Sequence, residues 1–299
     1  MTGSGRNKDG CDLVRRRANR PQGRRAAVAN WLRRAGRVRW SAGVFLTGAL
    51  AAPALAADPF ATSWAASAKS QARLVAAGGD RAGFEIRLGP GAITYWRDPG
   101  ESGVPPTFDF AGSDNVASVE PVFPAPKRIA ESDGSEAFGY DGDVVFPLRI
   151  EPSDPAKPVT LALHANYAVC ERICLPAQAR LKLTLPAAAS PYASLVEAAL
   201  AAAPRPVAAK DFGRLAPDGP DGWRLCATRE AGPPRDLFVE PPSGWWMTAS
   251  PAPGETGRDC FRLSLRDKPK EAALPVDVRL TLTGGAGPIE TTMEAPAAR

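Results

Sequence analysis

A period of two runs through this sequence and constrains its fold more than any other feature. From residue 71 on, apolar and polar side chains alternate in short runs. Phe84, Ile86 and Leu88 alternate with Glu85 and Arg87. Val159, Leu161, Leu163, Ala165, Tyr167 and Val169 share one parity, with Thr160, His164 and Asn166 on the other; Leu181, Leu183 and Leu185 alternate with Lys182 and Thr184. Successive strand side chains point to opposite faces, so the pattern marks strands with one buried face. It returns with Trp223 and Leu225 against Arg224 and Cys226, with Phe261, Leu263 and Leu265 against Arg262 and Ser264, and with Val276, Val278, Leu280 and Leu282 against Asp277, Arg279 and Thr281. Turn-rich stretches such as Arg97-Asp98-Pro99-Gly100 and Asp133-Gly134 separate the runs. With 31 prolines and 28 glycines among 299 residues, the chain reads as all-β, two β-sandwich domains in tandem.

One helix stands out against this background. Ser190 can cap it, Pro191 fits its first turn, and Tyr192, Leu195, Val196 and Ala199 fall on one face before Pro204 and Pro206 end it. The helix and the Pro/Ala stretch after it, residues 190–210, link an N-terminal domain over 57–189 to a second, smaller β domain over 211–299.

Residues 1–56 follow different rules. They hold 12 of the 37 Lys and Arg residues and 2 of the 32 Asp and Glu residues, leaving 25 basic against 30 acidic side chains, a balance of −5, in the rest. The basic pI belongs to this leader, so no nucleic-acid partner follows from it. Arg33, Arg34, Arg37 and Arg39 close a basic region, an apolar stretch runs from Ala42 to Leu55, and Ala54-Leu55-Ala56 offers small residues around a cut. These are the three parts of a secretory signal, with cleavage expected near Ala56. An uncleaved anchor is the alternative, but the alanines and prolines of the stretch suit one poorly. No apolar run in the remainder is long enough to span a membrane as a helix.

Cys11 falls in the leader. Cys170, Cys174, Cys226 and Cys260 remain, an even count that suits disulfides in an exported chain and allows three pairings. Cys170-Glu171-Arg172-Ile173-Cys174 lies between two strand patterns, at a hairpin-like tip where the two cysteines can reach each other. On the loop-entropy model a five-residue loop stabilises by roughly 2 kcal/mol and a 35-residue Cys226–Cys260 loop by roughly 4. The short loop is the weaker staple and the more accessible switch; the long one is the better staple. Cys226 and Cys260 both have the polar parity of their strands and can meet across neighbouring strands on an outer face. A plain structural hairpin disulfide is the bland alternative for 170/174, since C-x3-C is less specific than C-x2-C. Four cysteines can bind zinc, but zinc motifs show two closely spaced pairs and 226/260 is not one, so no metal or cofactor is expected. His164, the single histidine, lies six strand residues from Cys170, about 20 Å along a straight strand, too far to activate its thiol.

Four ordered motifs then bring a family into view. They are Thr94-Tyr95-Trp96-Arg97-Asp98-Pro99-Gly100 with Ser102-Gly103-Val104-Pro105-Pro106; Phe123-Pro124-Ala125-Pro126; Gly139-Tyr140-Asp141-Gly142-Asp143; and Tyr167-Ala168-Val169-Cys170-Glu171-Arg172-Ile173-Cys174-Leu175-Pro176. Over roughly residues 65–186 the chain resembles the periplasmic N-terminal domain of the thiol:disulfide interchange protein DsbD and its suppressor-of-copper-sensitivity relatives. The resemblance implies an immunoglobulin-like sandwich, a periplasmic location and a redox-active Cys170/Cys174 pair that needs no cofactor. It implies a component of a protein-disulfide reductase. Electrons would pass from a membrane-embedded thiol reductase to a thioredoxin-like or other periplasmic disulfide protein. It also implies an aromatic shield over the pair, for which Phe138 and Tyr140 are the candidates; loop length and parity, not the resemblance, make Cys226 and Cys260 the structural disulfide. The chain shows no multi-span membrane domain or thioredoxin-like domain after this segment, so a separate reductase would supply the electrons. A β-sandwich that binds a partner and keeps structural disulfides is the alternative.

Overall fold

The strands follow the alternation, and their pairing decides what reaches the cysteines. The computed structural model describes residues 57–131 and 134–297; the leader, its expected cut near Ala56, Cys11 and Asp133 lie outside the described residues. The strands before the long helix are β1 (Ala65–Ser67), β2 (Ser70–Gly78), β3 (Arg81–Leu88), β4 (Ile93–Gly100), β5 (Thr107–Asp109), β6 (Val116–Pro121), β7 (Lys127–Ala130), β8 (Glu136–Tyr140), β9 (Val144–Pro152), β10 (Thr160–Cys170) and β11 (Cys174–Thr184). One sheet has the order β1-β2-β3-β9-β6, the other β11-β10-β4-β8-β7 with β5 added against β10. Leu74, Phe84, Ile86 and Phe146 from the first sheet meet Trp96, Leu161, Leu163, Tyr167 and Leu181 from the second in one core. Each such large apolar side chain contributes roughly 1.5–3 kcal/mol on burial. This is the immunoglobulin-like all-β sandwich the sequence predicts.

Two local expectations change. Arg97-Asp98-Pro99-Gly100 reads as a turn but lies in β4, whose ladder to β8 is broken between Tyr95 and Gly100. Pro99 has no N–H to give to a ladder, and the irregularity is where the sheet tolerates it. The helix, α1 (Ala193–Ala201), starts later than a Ser190 cap would set it, and Tyr192 is its N-cap residue. Ser190 Oγ accepts the Tyr192 N–H at 3.0 Å and donates to the Ala76 carbonyl, tying the segment to β2. The expected apolar face is used: Val196, with Tyr192, Leu195 and Ala199, packs on Val75, Ala77 and Val145 of the first sheet.

The rest of the chain forms β12 (Arg205–Pro206), the short α2 (Ala209–Phe212), β13 (Arg214–Pro217), β14 (Gly222–Thr228), β15 (Asp236–Glu240), β16 (Trp246–Ala252), β17 (Arg258–Asp267), β18 (Val276–Thr283) and β19 (Ile289–Ala295). These make sheets of order β12-β19-β18-β15 and β13-β14-β17-β16. Trp223, Leu225, Phe261 and Leu263 from one meet Leu237, Val239, Leu280 and Leu282 from the other in a second core. Among the described residues no helix is long and apolar enough to cross a membrane.

Consecutive residues of β4 join the two parts. Trp96 packs edge-on against Phe238 of β15, with ring centroids 6.0 Å apart, and Phe138 meets the same ring at 4.9 Å and 90°. Arg97 donates to both Glu240 oxygens and to Glu290, each at 2.8 Å. Arg128 makes a two-pronged contact with Asp236 at 3.0 Å. These charges are mostly buried, so each pair is paired and hydrogen-bonded rather than solvent-screened.

Candidate functional site

Strand register builds the site. β10 and β11 form a long antiparallel hairpin whose last pair is Cys170 opposite Cys174, and the two cysteines are bonded with Cα atoms 4.1 Å apart. Leu161, Leu163, Ala165, Tyr167 and Val169 of β10 face the core. Cys170 has the other parity and lies on the outer face, with Ala168, Tyr95, Ala137 and the partly buried Ile93. Cys170 is buried and Cys174 is exposed. Cys174 is therefore the more accessible residue of the bond and Cys170 the covered one.

Tyr95 is the aromatic residue on the disulfide. Its hydroxyl donates to Cys170 Sγ at 2.8 Å, stands 3.3 Å from Cys174 Sγ, and is 3.4 Å from Glu131 Oε1. Thr94 Oγ1 donates to the Ala168 carbonyl at 2.8 Å and fixes β4 beside β10. Gly103, at φ +103°, lies against the Tyr95 ring, where any side chain would overlap it. The loop after β4 thus covers the ring, and Tyr95 is fully buried. Burial, then the nearby Glu131 carboxylate, pushes the Tyr95 phenol up to about 12. It remains a protonated donor at neutral pH. Glu131 is held in turn by Ser102 Oγ at 3.0 Å.

Phe138 and Tyr140, the expected shield, lie elsewhere. Tyr95 pairs with Gly139, so its two neighbours on β8 point to the opposite, core side of the sheet. Phe138 packs on Phe238 under the Arg128 guanidinium, and Tyr140 packs on Phe146 and donates to the Pro124 carbonyl at 2.8 Å. Sequence reading missed Tyr95 as a site residue although it lies in a quoted motif. Its signal was its parity with Ile93, but the signal is legible only once β4 is known to lie beside β10.

The loop between the cysteines carries charge and apolar surface. Glu171 is ion-paired with Lys69 from the β1–β2 turn. Ile173 is 69% exposed, and Val104, in the loop over Tyr95, is exposed as well. His164 lies mid-strand opposite Arg180, and its buried Nε2 makes no hydrogen bond with the described residues. A cavity of about 940 Å³ lies around Arg97, Arg279 and Glu290 and borders neither disulfide.

Cys226 and Cys260 are bonded to each other across the β14–β17 ladder, with Cα atoms 4.2 Å apart. They have the outer-face parity the sequence predicts, yet both are buried. The turn between β16 and β17 covers them, and Glu255 Oε1 of that turn is 3.8 Å from Cys226 Sγ.

An immunoglobulin-like sandwich with a disulfide across the tip of its longest hairpin defines the class. Residues 61–186 match the family "Thiol:disulfide interchange protein DsbD, N-terminal". The crystal structure of the N-terminal periplasmic domain of ScsB from Proteus mirabilis superposes with a TM-score of 0.64 at 21% identity, covering 81% of this chain and all of that one. Collagen adhesin from S. aureus aligns at a TM-score of 0.15 and 6% identity over 74% of this chain and 90% of that one, and carries no argument. No curated protein matches the sequence.

Proposed function

We propose that the chain is a periplasmic thiol–disulfide exchange module that works through Cys170 and Cys174. The match of residues 61–186 to the DsbD N-terminal family supports the chemistry, and the likeness to a periplasmic domain supports the location. The observation that carries the mechanism is the asymmetry of the pair: an exposed Cys174, a buried Cys170 and a phenol aimed at the buried sulfur.

A donor thiolate attacks the exposed Cys174 Sγ. The Cys170–Cys174 bond breaks and Cys170 leaves as a thiolate, which accepts the Tyr95 hydrogen bond. The donor's second thiol then attacks the mixed disulfide, so the donor leaves oxidised and the module holds two thiols. Delivery to a client disulfide runs the same steps in reverse. A hydrogen bond to the charged leaving group lowers its basicity and favours the step. No cofactor enters this scheme. The donor in this reading is a membrane-embedded thiol reductase, and the acceptor is a thioredoxin-like or other periplasmic disulfide protein.

Trapping tests it. Cys170→Ser leaves the exposed Cys174 thiol with no internal thiol to resolve a mixed disulfide, so a covalent adduct with a periplasmic or membrane thiol protein should accumulate and vanish on adding reductant. Cys226→Ser and Cys260→Ser should trap no such partner. Absence of any adduct with both Cys170→Ser and Cys174→Ser in the native periplasm would favour a binding module with structural disulfides.

A further inference from the structure

We propose that Cys226, Cys260 and Glu255 form a zinc site when the Cys226–Cys260 disulfide is reduced. Their ligand atoms all lie within 4.8 Å of one another, and this is the one such group of three among the described residues. None of the three is adjacent in sequence, so C-x2-C spacing rules do not reveal it. The sheet assembles it instead.

The ladder keeps the ligands together after the sulfur–sulfur bond opens. Cys226 and Cys260 sit mid-run in the β14–β17 register, flanked by Leu225 opposite Phe261 and Ala227 opposite Asp259. Zinc–thiolate bonds of about 2.3 Å in tetrahedral geometry place two sulfurs about 3.8 Å apart, a small widening by side-chain rotation. Glu255 comes from the turn that closes over the pair, where Arg258 N–H donates to the Glu255 carbonyl at 3.0 Å. Its carboxylate already stands 3.8 Å from Cys226 Sγ. Glu255 is exposed, and a cavity of about 330 Å³ borders Cys260, so an ion has a way in. Two thiolates and one carboxylate exclude hard cations such as magnesium and suit zinc, with a water as fourth ligand.

The Cys170–Cys174 pair lacks this arrangement. Among the described residues no third ligand atom gathers with its two sulfurs, whereas Glu255 keeps Oε1 on Cys226 while its other oxygen pairs with Arg258 at 3.8 Å. The two pairs therefore diverge on reduction: one is left free to exchange, the other is left beside a third ligand.

The chemistry balances with a dithiol as reductant. The dithiol gives two electrons and two protons to the Cys226–Cys260 bond and becomes a disulfide. Zinc then displaces the two thiol protons into solvent, which makes binding pH-dependent and holds the thiols against reoxidation.

The test uses the full chain carrying Cys11→Ser, Cys170→Ser and Cys174→Ser, whose remaining cysteines are Cys226 and Cys260. This background removes the proposed exchange pair, so failure here is distinct from failure of the exchange reading. After reduction and anaerobic removal of reductant, zinc is titrated against a competing chromophoric chelator and cobalt is used as a spectroscopic probe. We expect one equivalent of zinc in the reduced form and none in the oxidised form. Cobalt should show a thiolate charge-transfer band. Glu255→Gln should weaken zinc at least tenfold, and Cys260→Ser should abolish the band. If the reduced chain loses its far-ultraviolet strand signal, zinc should restore it. No binding, failure to restore the signal, or affinity unchanged in Glu255→Gln or Cys260→Ser overturns the proposal.

Discussion

The two disulfides start from the same geometry and end in different chemical settings. Each joins directly opposed residues of an antiparallel pair on the outer face of a sheet. The Cα separations are 4.1 and 4.2 Å. They differ in sequence separation, 4 against 34, in burial, and in the group beside the sulfur. Cys174 is exposed and a phenol serves Cys170; Cys226 and Cys260 are both buried and a carboxylate stands beside them. The backbone alone therefore does not decide whether a cross-strand disulfide is a staple or a switch. Loop length sets the stabilisation, exposure sets access, and the neighbouring group sets how well a thiolate is tolerated.

The largest expected difference is in stability. Removing the long-loop bridge with Cys226→Ser and Cys260→Ser together should cost about 4 kcal/mol, and removing the short-loop bridge about 2 kcal/mol. Urea unfolding midpoints at unchanged slope measure both. Equal losses, or the reverse order, would break the division into staple and switch.

Next in size is the effect of Tyr95→Phe on exchange. A hydrogen bond to a charged group contributes about 1.5–3 kcal/mol, so attack by a small thiol at Cys174 should slow roughly ten- to a hundredfold. Stopped-flow kinetics with the oxidised chain give the rate directly, and the Cys226–Cys260 bond is the internal control. The phenol is pushed up to about 12, so the wild-type advantage should hold below the ordinary tyrosine value. The same raised value means that Tyr95 contributes stability below a pH of about 10 and loses it as pH rises further. A rate unchanged by Tyr95→Phe would remove the phenol from the mechanism.

The order of reduction sharpens the comparison further. The loop-entropy difference is about 1.7 kcal/mol, equivalent to about 40 mV, with Cys170–Cys174 opening at the less reducing potential. Mass mapping across a graded thiol redox buffer reads both bonds in one sample. A single coincident transition would show that burial and neighbouring groups cancel the loop term.

Much of this was legible in the sequence because period two is a local signal. The parity of Leu161 through Val169 placed the core face of β10, and the parity of Cys226 and Cys260 placed both on an outer face. The hairpin tip carrying Cys170 and Cys174 was readable from two flanking strand patterns. What failed was non-local. Phe138 and Tyr140 were candidates for the shield because they lie in the stretch that corresponds to the family's shielding loop, but the β4–β8 register turns both into the core and gives the outer face to Tyr95. Glu255 is silent in sequence, since it reaches Cys226 only through the turn that closes over the β14–β17 pair. Pairing partners, not periods, carry that information.

The smallest effect separates charge from hydrogen bonding at the switch. Lys69 and Glu171 form an ion pair whose side chains are 53% and 34% exposed. Such surface pairs contribute about 0–1 kcal/mol, so the pair should matter little to stability. Its place between the cysteines gives it a second consequence. Lys69→Ala leaves the Glu171 carboxylate uncompensated where an attacking thiolate must approach. Exchange should then slow by about two- to threefold at low ionic strength, within the range of a surface pair. Glu171→Gln should speed it slightly, and the double variant should return close to the wild-type rate, because the two substitutions remove opposite charges. Both single-variant differences should fade at about 1 M salt, where the screening length falls to about 3 Å. The Tyr95→Phe defect should persist there, since the phenol and Cys170 are buried and in contact. If Lys69→Ala instead slows exchange as much as Tyr95→Phe and resists salt, the surface charge rather than the buried phenol governs the Cys170–Cys174 bond.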